Sequence, residues 1–275
     1  MKPENKIAPI NFGFIEPPSN PEDYYLGGGN LPRNILQENG DWTDSLPTEE
    51  RQNIREIETS NCTSFGCTSQ IEMYEYKAFG EKNNYSDRWL GIVAGTTAKG
   101  NDPSNVYEAV RKFGLIPEEM LPWSEDIKTA EDYYSFKGAD KEACYRAGRE
   151  WLSKKSFLHQ WVFNHSAPLS EKINNMKVAL KYSPLCVDVY AWQMDDKGFY
   201  VRGGQSGHWT TCYNVKDFEY IFDSYFPHGK ILTPDFNFYF CKRISVEKLS
   251  TFTKVPIERV WETWFNKIIN LLKIS

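Results

Sequence analysis

Cys62-Thr63-Ser64-Phe65-Gly66-Cys67-Thr68-Ser69-Gln70-Ile71-Glu72 follows a polar loop and opens a segment, residues 62–79, in which Phe65, Ile71, Met73, Tyr76 and Phe79 recur with few breakers. That spacing predicts a mostly buried helix with Cys62 at its start. A helix start is the favoured seat for a reactive thiol, because the dipole and the free N–H groups there stabilise a thiolate. Cys67, a turn and a half further on, falls inside the predicted helix and reads as core.

Downstream of this segment, helices are expected near 86–94 and 104–113, the second opened by Asp102-Pro103-Ser104 and closed by Gly114. Further helices are expected near 140–153 and 169–180. The texture then changes to strand at 185–191, 198–201, 209–213, 220–222 and 236–241, all rich in β-branched or aromatic residues. Helices first and antiparallel strands afterwards predict an α+β fold in two parts, a helical half and a sheet half.

Upstream, residues 1–40 read as an extended arm. Pro17-Pro18 biases the chain away from helix, and Gly27-Gly28-Gly29 is a flexible break. Such an arm packs on its own domain or on a neighbour. The domain proper runs from Asp41-Trp42 to about 250. In 251–275, Val260, Trp261, Trp264, Phe265, Ile268, Ile269 and Leu272 recur at helical spacing, which predicts an amphipathic helix. It would dock on its own domain, on a partner protein or on a membrane surface.

With 275 residues and a formal charge of -5, the chain carries no basic footprint, so nucleic-acid binding is not expected. The opening Met1-Lys2-Pro3-Glu4-Asn5-Lys6 is polar and resembles no signal peptide, and no apolar run is long enough to span a membrane. These features point to the cytoplasm, or to a viral particle assembled there. The six cysteines, Cys62, Cys67, Cys144, Cys186, Cys212 and Cys241, form no CxxC pair and no zinc-spaced cluster, so neither a metal nor another cofactor is expected.

Thiol catalysis also needs a histidine and a group to orient it. His159 and His165 fall in a polar, aromatic-rich helical or loop region without a partner signal, and His228 follows Phe226-Pro227 in a turn. His208 differs: it follows Gly203-Gly204-Gln205-Ser206-Gly207 and begins the strand at 209–213. The next strand, 220–222, delivers Asp223 at its end. Adjacent strands joined by a hairpin would set that carboxylate beside the imidazole.

In order and spacing these features resemble the papain-like cysteine peptidases over most of the chain. Asp41-Trp42 matches the family's start. Cys62-Thr63-Ser64-Phe65-Gly66 with Ile71-Glu72 matches its Cys-Trp-Ala-Phe-Ser helix and the Ile-Glu pair that follows. Gly114-Leu115-Ile116-Pro117-Glu118 with Leu121-Pro122-Trp123, and Ser183-Pro184-Leu185-Cys186-Val187, stand where its Gly-Ile, Tyr-Pro-Tyr and Gly-Pro-Val landmarks stand. Gly207-His208-Trp209 resembles the histidine motif, and Phe222-Asp223-Ser224-Tyr225 replaces Asn-Ser-Trp. Register with Ile71-Glu72 selects Cys62 over Cys67. The resemblance implies a Cys62–His208–Asp223 triad acting on a peptide or protein substrate.

The departures matter too. Thr59 stands at the family's disulfide position, and Glu56 stands where its oxyanion glutamine would be, leaving Gln52 or Asn61 as replacement donors. Thr63 and Tyr225 replace tryptophans. No long helical prosegment precedes the domain, so autoinhibition of the family's usual kind is not expected. The thin arm and degenerate motifs look more like phage-encoded members of the family. Two functional readings follow: a peptidase or isopeptidase, or a catalytically weakened papain-like scaffold serving as a structural component, for example of a phage virion.

Overall fold

The computed structural model describes residues 13–18, 34–55, 57–190, 192–202, 206–217, 219–233 and 236–249. The expected C-terminal helix at 251–275, most of the expected arm, Glu56 and the glycine-rich approach at 203–205 lie outside the described residues.

The helical half is built on α1 (Cys62–Phe79), with the bounds the sequence predicts. It ends where Gly80, at φ 70°, takes the left-handed conformation and donates to Tyr76 O. α2 (Asp87–Ala94) starts at Ser86, whose hydroxyl accepts from Trp89 N. α3 (Pro103–Phe113) starts at Asp102, whose carboxylate accepts from Ser104 N, and stops at Gly114. After a short α4 (Ala130–Tyr133), α5 (Lys141–Lys154) is capped by Asp140, and α6 (Leu169–Ala179) follows Pro168.

A two-stranded ribbon, β1 (Asn53–Ile54) and β2 (Ile57–Glu58), leads into α1. The main sheet comprises β3 (Lys155–Trp161), β4 (Leu185–Tyr190), β5 (Gln193–Met194), β6 (Tyr200–Val201), β7 (Ser206–Val215), β8 (Glu219–Phe222), β9 (Gly229–Leu232) and β10 (Cys241–Lys248). Its order is β3-β10-β4-β7-β8-β9-β6-β5, antiparallel throughout except for β6 beside β9. α1 lies on β7, β4 and β10. Gly66 permits this approach, since a Cβ there would sit 2.9 Å from the Trp209 ring. Its carbonyl accepts from Thr211 Oγ1 at 3.2 Å and from Cys186 Sγ at 3.0 Å. One buried cluster, with Ile71, Tyr107, Trp161 and Trp209, fills the space between α1, α3 and the sheet. A second, with Trp42, Met176, Val187, Ile221 and Phe238, closes the sheet half.

Two expectations need correction. The strand expected at 236–241 begins only at Cys241, because Phe236 and Phe238 turn into the core as a ring pair 5.0 Å apart. Residues 155–161, expected as helix or loop, form β3, which starts directly where α5 ends. His159 lies on that strand and does have partners, 3.1 Å from Glu108 Oε1 and 3.2 Å from Lys242 Nζ. Among the described residues, no helix is long and apolar enough to cross a membrane.

Candidate active site

The three residues singled out in the sequence converge where the two halves meet. Cys62 is the first residue of α1, after Asn61. His208 lies on β7, opposite Val189 of β4. Asp223 follows β8, held because β7 and β8 pair antiparallel, with Thr211 opposite Phe222, and because Asp223 N donates to His228 O at 2.8 Å. His208 Nε2 and Asp223 Oδ1 are 2.5 Å apart, and both side chains are fully buried. The Cys62 thiol is shaped by the same neighbours: backbone hydrogen bonds at Trp209 and Thr63 favour its thiolate, and the charges of Glu58 and Asp223 oppose it.

Burial outweighs these effects and pushes the Cys62 thiol up, contrary to the lowering expected at a helix start. The site is closed. Cys62 and His208 are both 0% exposed. Residues 13–18 run across the junction: Phe14 N donates to Gly207 O at 2.9 Å, one residue before His208. Ile15 N donates to Asn101 O at 3.0 Å, and Asn101 N to Gly13 O at 2.7 Å. The Phe14 ring stacks on Trp209, with centroids 5.6 Å apart. Gly13, at φ +81°, passes so close to the residues before Cys62 that a Cβ would lie 1.9 Å from Ser60 O.

Neither amide expected to replace the oxyanion glutamine is available in this state. Gln52 Nε2 donates to Glu58 Oε1 at 2.8 Å and to Tyr225 OH at 2.7 Å. Asn61 Nδ2 donates to Asp87 O at 2.9 Å and to Tyr133 OH at 3.0 Å. Each NH₂ group has two protons, and both are used. Tyr225, at the tryptophan position of the resemblance, lies 5.2 Å from the His208 ring, and its hydroxyl donates to Glu58 Oε2 at 2.6 Å.

Lys230 escaped the sequence reading. It donates to Asp223 Oδ2 at 2.5 Å from β9. A signal was present: in Gly229-Lys230-Ile231-Leu232 the lysine shares the inward face with Leu232. All six cysteines are free and buried.

On the other side of Phe65, a cavity of about 430 Å³ is lined by Glu49, Glu50, Asp87, Glu118 and Trp123 among others. Burial, aided by the charge of Glu50, pushes Glu118 up to about 8. A carboxyl raised in the folded state contributes stability that is full below its unfolded value of about 4.3 and lost as pH rises towards the folded one. Glu118→Gln is therefore expected to gain melting temperature relative to the parent between pH 5 and pH 8. An unchanged difference across that range contradicts the assignment.

No sequence family and no curated protein matches the chain. Solved structures do. Xylellain, a cysteine protease from Xylella fastidiosa, matches with TM-score 0.59 over 88% of this chain and 96% of its own, at 12% identity. The bromelain protease from Ananas comosus, solved with the E64 inhibitor, gives 0.52 over 75% and 98%, at 14% identity. Digestive procathepsin L 3 from the Tenebrio molitor larval midgut gives 0.52 over 74% and 68%, at 12% identity. The chain has the two-part α+β fold of the papain-like cysteine proteases, and at these identities the likeness is one of fold.

Proposed function

We propose that the protein is a papain-like cysteine peptidase that hydrolyses peptide or isopeptide bonds with Cys62 as nucleophile, His208 as general base and Asp223 as the group that orients the imidazole. The observation that carries this reading is the buried His208–Asp223 hydrogen bond beside a cysteine that opens a long helix. The Cys62 thiolate attacks the carbonyl carbon, and the imidazolium of His208 gives its proton to the leaving amine. Water, deprotonated by His208, then splits the acyl-enzyme and restores the thiol. The Cys62 N–H, at the open start of α1, supplies the donor to the oxyanion in place of an amide side chain, since Ser64 N and Phe65 N already donate to Asn61 O.

Gly13 and Phe14 pack on Ser60, Gly207 and Trp209, the chain neighbours of Cys62 and His208, so residues 13–18 withdraw before a substrate enters. Gly13→Ala is expected to displace them, because alanine is strained at φ +81° and its Cβ would meet the Ser60 carbonyl. A penalty of about 1.4 kcal/mol already changes an equilibrium tenfold. Hydrolysis of a broad peptide mixture is therefore expected to rise about tenfold or more in Gly13→Ala. The gain should vanish when Cys62→Ala is added. Absence of hydrolysis in Gly13→Ala, with Trp209 fluorescence reporting loss of the Phe14 stack, would refute the peptidase reading.

One observation favours a second reading: both candidate oxyanion amides are committed elsewhere. On that reading the chain is a papain-like scaffold of weakened activity, acting as a structural or interaction component of a phage-type particle assembled in the cytoplasm. Fixed copy number in purified particles supports it, and a purely free, monomeric pool opposes it.

A further inference from the structure

Asp223 is a carboxylate, 1% exposed, at the position where the resembled family carries a neutral asparagine. A buried charge is costly unless it is paired and hydrogen-bonded. The pairing comes from Lys230. β8 and β9 are antiparallel, with Ile221 opposite Lys230 and Phe222 opposite Gly229, so the lysine rises beside the residue that follows Phe222. Its ammonium donates to Asp223 Oδ2 at 2.5 Å, Tyr225 O at 2.7 Å and Pro227 O at 2.6 Å. These three bonds use all three of its protons. The ring faces of Trp192 and Tyr200, with centroids 4.8 and 5.8 Å away, enclose it, and the lysine is 2% exposed.

We propose that Lys230 is a positioning residue of this active site, which acts through Asp223 by cancelling its charge and fixing Oδ1 on His208 Nε2, so that an ion pair performs the task of a neutral amide. The proposal rests on the peptidase reading of Cys62 and His208. Burial works to raise the Asp223 pKa, but His208 and Lys230 outweigh it and hold the carboxyl below its usual range. The titratable groups facing the pair are His208 on β7, Cys62 on α1, Glu58 on β2 behind Tyr225, the phenols of Tyr200 and Tyr225, and His228, whose Nδ1 lies 2.7 Å from Asp223 O.

The signs of the consequences are fixed. Without Lys230, a bare carboxylate beside the site disfavours the Cys62 thiolate, so its titration moves to higher pH. Without the carboxylate, the buried ammonium does the reverse. Removing both charges leaves a neutral site like the one the pair mimics.

The experiment follows the rate of iodoacetamide alkylation at Cys62 against pH in the full-length Gly13→Ala protein, which opens the site and is the parent of the variants that follow, read by peptide mass mapping and normalised to its own plateau. Lys230→Met is expected to move the inflection up by about one pH unit or more, and Asp223→Asn to move it down by a similar amount. The double variant should return close to the parent. Should Lys230→Met fail to fold, Asp223→Asn against the double variant reads the same sign. A Cys62 in the parent that titrates like the other buried cysteines refutes the peptidase reading itself. An activated Cys62 in the parent whose inflection stays fixed, shifts in the same direction in both single variants, or is not restored in the double overturns the role of Lys230 alone.

Discussion

Cys62→Ala is expected to abolish peptide hydrolysis, by a factor on the order of 10⁴ or more, with the protein remaining folded. Removing the nucleophile from a group that acts as a unit costs nearly the whole rate enhancement of that group. His208→Ala is expected to cost about as much, and the double variant little more, because neither residue works without the other. The structural cost is small by comparison. Cys62 packs in the cluster between α1 and the sheet, and alanine leaves a void of one sulfur there, worth roughly 1 kcal/mol. Cys67→Ala is the internal control. Cys67 is as deeply buried on the same helix, but its charged neighbours are Cys186, Lys242 and Asp87, not the His208–Asp223 pair, so activity should not change. Equal losses from Cys62→Ala and Cys67→Ala would mean that activity tracks packing, and the nucleophile assignment would fail. The measurement is kcat/KM on a peptide substrate beside circular dichroism of each variant.

The largest effect on stability is expected at Arg88. This side chain, 2% exposed on α2, is a donor hub for the chain between α3 and α5. Its guanidinium donates to the carbonyl oxygens of Tyr133 at 2.7 Å, Pro122 at 3.1 Å, Asp132 at 3.1 Å, Ser135 at 2.6 Å and Lys137 at 3.0 Å. That segment has little regular structure of its own, so these bonds fix its course. Arg88→Met keeps much of the apolar stem but takes the Arg88 donor from five carbonyls, of which, among the described residues, Asp132 O alone keeps another, the Ser135 hydroxyl at 2.7 Å. Each buried group left unsatisfied costs about 1–3 kcal/mol when water cannot reach it, and partial hydration of the segment reduces the sum. A loss of about 3–5 kcal/mol is expected in urea unfolding. A loss under about 1 kcal/mol would show that the segment holds itself.

What could be read from the sequence was what local chemistry writes down. The span of α1 over 62–79 came from its apolar spacing, and the Asp102-Pro103 entry and Gly114 exit of α3 are cap and breaker signals that fall where the structure puts them. The pairing of β7 with β8 followed from two β-rich runs with a short connection, which brought Asp223 to His208. Two of the misses share a cause: charged residues whose burial is set by distant partners. β10 hid because Lys242 and Arg243 interrupt its apolar pattern. Lys242 in fact stacks 3.7 Å above the Trp161 ring, and Arg243 bonds to Gln160. β3 hid because it continues α5 without a breaker between Lys154 and Lys155. Lys230 was missed for the same reason as β10. Closure of the site by residues 13–18 had no local signature, since Gly13 and Phe14 acquire meaning only against Ser60, Gly207 and Trp209.

The central claim is that one of six buried cysteines is a catalytic nucleophile. The most direct test alkylates the Gly13→Ala protein at pH 6 with iodoacetamide or an epoxide inhibitor and maps the labelled cysteine by mass spectrometry. The account predicts label on Cys62 well before any appears on Cys67, Cys144, Cys186, Cys212 or Cys241, and loss of that fast phase in His208→Ala. Slow labelling spread evenly over all six cysteines would contradict it.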